Sequence, residues 1–334
     1  MDSINRVILD RVQRSFPIVS HPYRALTQGL GISESEALER IASLKQERVI
    51  RQISAIFNTG ALGYRTSLVA MAVLPEELER VASVINAYPG VSHNYLRPGD
   101  FNMWFTIAVP PGESLEEVVS RLSAKAGNFP SLILPALKKY KLAVVLDVLE
   151  EGDWEASEEK TRLPPTEAGC GFEATPENIA LVKCIQEDLP LVPRPFALWA
   201  DTLNLTEAQL LEIVSNLTCQ GAVRRFAAVL NHRQVGFRAN GMVVWDCPQD
   251  RMDAIGAILA TYPEVSHCYS RPACPPQWPY NLYAMIHGRS GPQCEEIANR
   301  LAQATGLGNF RILFSTREYK KVRLKLFWDD QRQE

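Results

Sequence analysis

The chain has 334 residues, 46% of them hydrophobic and 22% charged, with 35 Lys and Arg against 38 Asp and Glu. No apolar run approaches the roughly 18 residues of a membrane span, and the opening Met1-Asp2-Ser3-Ile4-Asn5-Arg6 lacks the apolar core of a secretory signal, so a cytoplasmic protein with no membrane partner is expected. The seven cysteines form no Cys-x-x-Cys pair, which favours reduced thiols over a disulfide framework or a zinc site, and residues 1–150 and 176–334 are each almost neutral (16 basic against 15 acidic, 17 against 16), without the footprint of a duplex-DNA binder.

Ile4, Ile8, Leu9 and Val12 recur at helical spacing, and Phe16-Pro17 stops that helix. Residues 22–30 read as a short helix closed by Gly29 and Gly31. Ser33, with Glu36 three residues on, reads as the capping box of a helix that buries Ala37, Ile41 and Leu44. Residues 49–57 are a strand-like run, so residues 1–60 describe three helices and a β-ribbon, a winged helix-turn-helix. Residues 61–149 follow with strand 64–74, helix 75–87, two tightly joined strands at 91–97 and 102–109, helix 115–126, and a segment 132–149 ending in a strand. That order, βαββαβ, is the ferredoxin-like split unit. Residues 150–175 contain Pro164-Pro165 and Gly169-Cys170-Gly171, are strongly acidic, and read as a linker.

The same order then begins again. Val91-Ser92-His93-Asn94-Tyr95-Leu96-Arg97-Pro98 returns as Val265-Ser266-His267-Cys268-Tyr269-Ser270-Arg271-Pro272, and Phe101-Asn102-Met103-Trp104 returns as Tyr280-Asn281-Leu282-Tyr283. Internal self-similarity of this length means two copies of one domain. The fold class is therefore α+β, two tandem copies of a winged helix-turn-helix plus a ferredoxin-like βαββαβ domain, with the second copy at residues 176–233 and 234–334. The second copy carries an extra loop, Ala273-Cys274-Pro275-Pro276-Gln277-Trp278-Pro279, beside its repeated His and Arg.

Winged helix followed by βαββαβ resembles the Lrp/AsnC transcription regulators. His267-Cys268-Tyr269 with Arg271-Pro272, then Trp278-Pro279-Tyr280-Asn281-Leu282-Tyr283 and Ile286-His287-Gly288, resembles more closely the siroheme decarboxylases, Lrp/AsnC-like enzymes of haem d1 and alternative haem biosynthesis. These usually consist of two related subunits, and this chain resembles both fused, over nearly its whole length outside the linker. The resemblance implies a carboxy-lyase that removes the C12 and C18 acetate carboxyls of siroheme to give 12,18-didecarboxysiroheme. It implies no organic cofactor and no added metal, because the iron arrives with the substrate. An intrachain pseudo-dimer is expected; a further homodimer, and which of the two pathways is served, stay open.

Siroheme has eight carboxylates around a flat apolar ring, which calls for guanidinium groups at its rim. Loss of CO2 leaves an electron pair on a methylene carbon, which calls for a proton donor such as His. Period two places His267, Tyr269 and Arg271 in line on one strand face, as it does His93, Tyr95 and Arg97 in the first copy. His287 stands where the first copy has Ala108. His267 and His287 are taken as the acid and its partner, with Arg271 holding a carboxylate; His93, Arg97, Arg225, Arg238, Tyr269, Trp278, Tyr280, Asn281 and Tyr283 are the candidate substrate contacts. Each has a plainer reading beside it: cross-strand ladders for the His-Tyr-Arg strips, strand-edge charges for Arg225 and Arg238, and sheet-to-sheet packing for Trp278, Tyr280 and Tyr283.

Two other functions use the same features. A DNA-binding regulator fits the winged helix, but the second-copy helix at 206–220 carries Glu207 and Glu212 with no Lys or Arg, so no nucleic-acid partner is expected. A non-catalytic tetrapyrrole-binding protein uses the same His and Arg and releases no CO2.

Overall fold

A computed structural model describes residues 1–142, 172–230 and 239–328. Most of the expected linker at 150–175, and Arg238, lie outside the described residues. The first copy runs α1 (Ser3–Arg14), α2 (Pro22–Leu26), α3 (Glu34–Gln46), β1 (Ile50–Phe57), β2 (Arg65–Met71), α4 (Leu78–Asn86), β3 (Val91–Leu96), β4 (Met103–Val109), α5 (Leu115–Ala126), β5 (Ser131–Pro135) and β6 (Lys138–Leu142). The second runs α6 (Pro176–Ile185), α7 (Pro195–Thr202), α8 (Glu207–Cys219), β7 (Val223–Leu230), β8 (Ala239–Trp245), α9 (Met252–Thr261), β9 (Val265–Ser270), β10 (Leu282–Gly288), α10 (Gly291–Thr305), β11 (Phe310–Phe314) and β12 (Arg317–Lys321). None of the described helices is long and apolar enough to cross a membrane.

The chain forms two units, and the copies are shared between them rather than separated. One unit collects the helix-turn-helix segments, Met1–Gly63 and Val145–Val235, with the C-terminal Lys325–Glu334; the other collects the sheets, Tyr64–Val144 and Gly236–Leu324. In the helical unit Asp2, Ser33, Thr175 and Thr206 each cap a helix with a side-chain oxygen accepting from a backbone N–H three residues on. The reciprocal capping box forms at Thr206 and Gln209. At Ser33 only half of the expected box is made, because Glu36 turns to Arg40 at 2.9 Å. The helix expected over 22–30 ends at Leu26; Arg11 Nη1 caps it by donating to the carbonyls of Leu26 and Gln28 at 2.7 and 2.8 Å.

The β-ribbon expected within the first winged helix is built otherwise. β1 pairs antiparallel with β7, one strand from each copy, from Ile50 opposite Leu230 to Phe57 opposite Val223. Each copy supplies a single strand here, and its unpaired edge is satisfied by the duplicate. Phe16, Phe196, Trp199 and Phe226 pack around this ribbon, with ring centroids 5.6–6.1 Å apart.

The sheet unit holds two five-stranded sheets, ordered β12-β3-β4-β2-β5 and β11-β8-β10-β9-β6. Four strands of each have the ferredoxin-like order, and α4 with α5, or α9 with α10, cover one face with a closed apolar core. The fifth strand comes from the other copy. Of the segment 132–149, expected to end in a strand, residues 143–149 lie outside the described residues; the described part holds two strands, β5, which completes its own sheet, and β6, which crosses to pair with β9 in the second. β12 makes the reciprocal exchange with β3. Tyr140 on β6 lies flat on α9 at Gly256, where the absence of a side chain leaves room for the ring.

The uncovered faces of the two sheets meet each other. Ala70, Trp104 and Leu134 from one and Met242, Val244, Tyr283 and Leu313 from the other form a shared buried cluster, joined by Phe101, Trp278 and Tyr280.

Candidate active site

The repeated His-Tyr-Arg strips lie on β3 and β9, each beside a strand received from the other copy. On β9, Tyr269 is opposite Tyr283 of β10 and Lys139 of β6, and His267 is opposite Met285. Directly opposed residues share a sheet face, so these side chains project together. The register slips between Met285 and Ile286, which face His267 and Val265, leaving Ser266 as an extra residue, a β-bulge. The first copy has the same slip at Ser92, between Val91 and His93. A bulge breaks strict alternation and re-aims a side chain; here it brings the serine to the imidazole beside it.

The result is a compact polar cluster. Ser266 Oγ lies 2.9 Å from His267 Nδ1, 2.8 Å from His287 Nε2 and 3.3 Å from the Met285 carbonyl oxygen. A hydroxyl has one proton to give and two lone pairs to receive, so at least one of the two imidazoles donates to it. His267 on β9 and His287 on the neighbouring β10, 20 residues apart in sequence, are thus joined through one oxygen. In the first copy Ser92 Oγ lies 2.9 Å from His93 Nδ1 and 2.9 Å from Thr106 Oγ1, so a hydroxyl takes the place of the second imidazole.

Arg271 continues the strip. Its guanidinium stands over Tyr269 at 5.1 Å and over Tyr283 at 5.4 Å, and Nη1 donates to the carbonyl of Leu134 on β5. Nε is buried without a hydrogen-bond partner. Arg97 repeats this arrangement over Tyr95 at 5.5 Å, donating to the carbonyl of Leu313. Neither arginine forms an ion pair with a carboxylate among the described residues. Burial pushes both guanidinium groups down from their ordinary value, that of Arg97 to about 10; a guanidinium is too basic to lose its proton in a protein near neutral pH. A buried cation without a counter-ion is costly unless a ligand supplies the anion, and such groups mark functional sites.

The other expected contacts divide. Trp278, Tyr280 and Tyr283 are only 4, 6 and 2% exposed. They fill the space between the sheets: Trp278 packs on Trp104 at 5.2 Å and donates from Nε1 to the Tyr283 hydroxyl at 2.6 Å. The extra loop is a tight hairpin, closed by two backbone hydrogen bonds between Cys274 and Trp278, that delivers this ring to the interior. As placed, the three rings face protein. Asn281 accepts from Cys247 N at 2.9 Å and donates to Cys247 O at 2.8 Å, as Asn102 does with Val73; it anchors the start of β10. Arg225 lies on β7 in the helical unit, its cation disfavoured by burial and by Arg224. His93 and Arg97 belong to the strip of the first copy. Among the described residues no group of three or more His, Cys, Asp or Glu is placed to hold a metal ion.

Sequence reasoning missed Ser266, Ser92 and the lysines of β6. Both serines stood in the repeated Val-Ser-His motif. Lys141 donates to the Tyr262 carbonyl at 2.6 Å and Lys139 is the Cα partner of Tyr269, but only the strand exchange reveals either position.

Paired sheets, helix-turn-helix segments and a polar strip on each sheet define a tandem AsnC-like ligand-binding protein. The model of the AsnC-like ligand binding domain matches residues 61–141 and 234–320, and that of the siroheme decarboxylase NirDL-like HTH domain matches residues 5–51 and 178–224. The siroheme decarboxylase of Hydrogenobacter thermophilus is 39% identical over 326 residues, 97% of this chain and 95% of its own. The siroheme decarboxylase beta subunit of Methanosarcina barkeri is 40% identical over 149 residues, 45% of this chain and 97% of that subunit. The crystal structure of the siroheme decarboxylase NirDL in co-complex with an iron-uroporphyrin III analogue superposes with a TM-score of 0.77 at 34% identity, covering 97% of this chain and 94% of that one. The chain belongs to the siroheme decarboxylase family of enzymes, in a single-chain form that joins two subunit-like halves.

Proposed function

We propose that this chain is a carboxy-lyase that removes the C12 and C18 acetate carboxyls of siroheme to give 12,18-didecarboxysiroheme, at the strip of the second copy. The observation that carries the reading is the cluster of His267, Ser266 and His287 beside the cationic, acid-free Arg271. Arg271 holds a peripheral carboxylate of the substrate. The carbon–carbon bond to the reacting carboxylate breaks, CO2 departs, and the electron pair stays on the methylene carbon, spread into the conjugated ring. An imidazole N–H then delivers the proton that makes a methyl group. The iron belongs to the substrate, and no further cofactor is required. Anaerobic incubation with siroheme followed by mass spectrometry of the tetrapyrrole tests this: two carboxyl groups are lost. Siroheme that binds and returns with its mass unchanged would identify a carrier instead.

Arg271→Met tests the carboxylate grip. A charge-assisted hydrogen bond contributes about 1.5–3 kcal/mol, so siroheme binding weakens roughly tenfold to a hundredfold in a spectroscopic titration. An unaltered affinity removes Arg271 from the site.

The helix-turn-helix unit does not bind DNA in this reading. α8 has no basic residue, and the carboxylate of Glu207 at its start is engaged by Arg194 at 2.5 Å and Ser20 at 2.9 Å. Gel-shift titration against duplex DNA should show no complex at physiological salt; a complex that weakens steeply with added salt would restore the regulator reading.

A further inference from the structure

We infer that Ser266 is a positioning residue that passes a proton from His287 to His267, making the two imidazoles one delivery unit. This rests on the decarboxylase reading above and adds to it a residue and a direction. The geometry is specific. The bulge at Ser266 sets one hydroxyl between two imidazole nitrogens at 2.9 and 2.8 Å, both inside hydrogen-bond range. His267 turns Nδ1 to the serine, so its exchange with substrate runs through Nε2. The steps balance with His287 starting as the imidazolium. His267 gives its Nε2 proton to the methylene carbanion and takes the Ser266 hydroxyl proton at Nδ1. Ser266 takes the Nε2 proton of His287. One proton has moved from His287 to carbon, both imidazoles end neutral, and the serine is restored. In the first copy the same bulge serine meets Thr106, which has no proton of comparable acidity to give, so that strip has the geometry of the relay without its source.

The test uses the full-length protein in five forms: unaltered, Ser266→Ala, Ser266→Thr, His287→Ala and the Ser266→Ala/His287→Ala double variant. CO2 release from siroheme is measured in single turnovers, with binding titrated separately. Ser266→Ala is expected to lower the catalytic rate on the order of a hundredfold, the lower range for loss of a positioned acid, with affinity for siroheme unchanged. Ser266→Thr, which keeps the hydroxyl, restores most of the rate. The double variant is no slower than His287→Ala, since residues acting as a unit are not additive. Full activity in Ser266→Ala, a loss confined to binding, a threonine variant as slow as the alanine one, or rate losses that multiply in the double variant would each overturn the relay. If the unaltered protein itself releases no CO2, it is the decarboxylase reading that fails.

Discussion

Replacing His287 by alanine lowers CO2 release from siroheme by about 10²–10⁴-fold, the worth of a positioned general acid, while siroheme still binds. His287 is one of two imidazoles that meet at the Ser266 hydroxyl, at 2.8 Å from it. The first copy differs at this point, with Ala108 in the corresponding place on β4. In the proposed reading carboxylate capture belongs to Arg271, so the variant keeps its grip and loses its proton source. Single-turnover measurement of CO2 and of tetrapyrrole mass separates the two. His267→Ala follows the same course because the imidazoles form one cluster. Turnover unchanged in both variants would reject the assignment of the acid to these residues.

Replacing Trp278 by alanine lowers folding stability by about 3–5 kcal/mol, the range for emptying a large aromatic site in a core. The ring is 4% exposed and packs against Phe101 at 6.2 Å, Trp104 at 5.2 Å and Tyr280 at 5.0 Å. Its indole N–H is also the donor to the buried Tyr283 hydroxyl, which itself donates to the Tyr280 carbonyl. Urea denaturation reads the loss, and Trp278→Phe, which keeps most of the apolar volume, loses less. The same variant decides between the two readings of these aromatics. If Trp278 is a wall for the macrocycle rather than a fill between sheets, Trp278→Ala keeps near-native stability and loses siroheme affinity instead.

The sequence carried the order of elements well because that information is local. Apolar spacing marks α1 and α4, the capping residue Ser33 marks the start of α3, and alternation marks β3 and β9. His267 and His287 were visible as singular polar residues on strands. What decides their chemistry was not visible, since it depends on pairings between distant segments. The bulge that turns Ser266 to His287 is a slip of one residue against β10. The carbonyl that receives Arg271 belongs to Leu134, 137 residues away. Trp278 and Tyr283 read equally as wall or core in one dimension, because both roles call for the same rings. β6 and β12 end their copies in sequence and complete the other copy in space, a choice that no local propensity records.

That exchange has a consequence for how the protein comes to exist at all. A half expressed alone as a separate polypeptide retains a sheet missing one margin and a single β1-type or β7-type strand with no partner, so neither half is a finished molecule. Joining them end to end makes their encounter intramolecular. It replaces a chance meeting of two strangers by a meeting of tethered neighbours, and it guarantees that every strip with two imidazoles is made together with its one-imidazole counterpart.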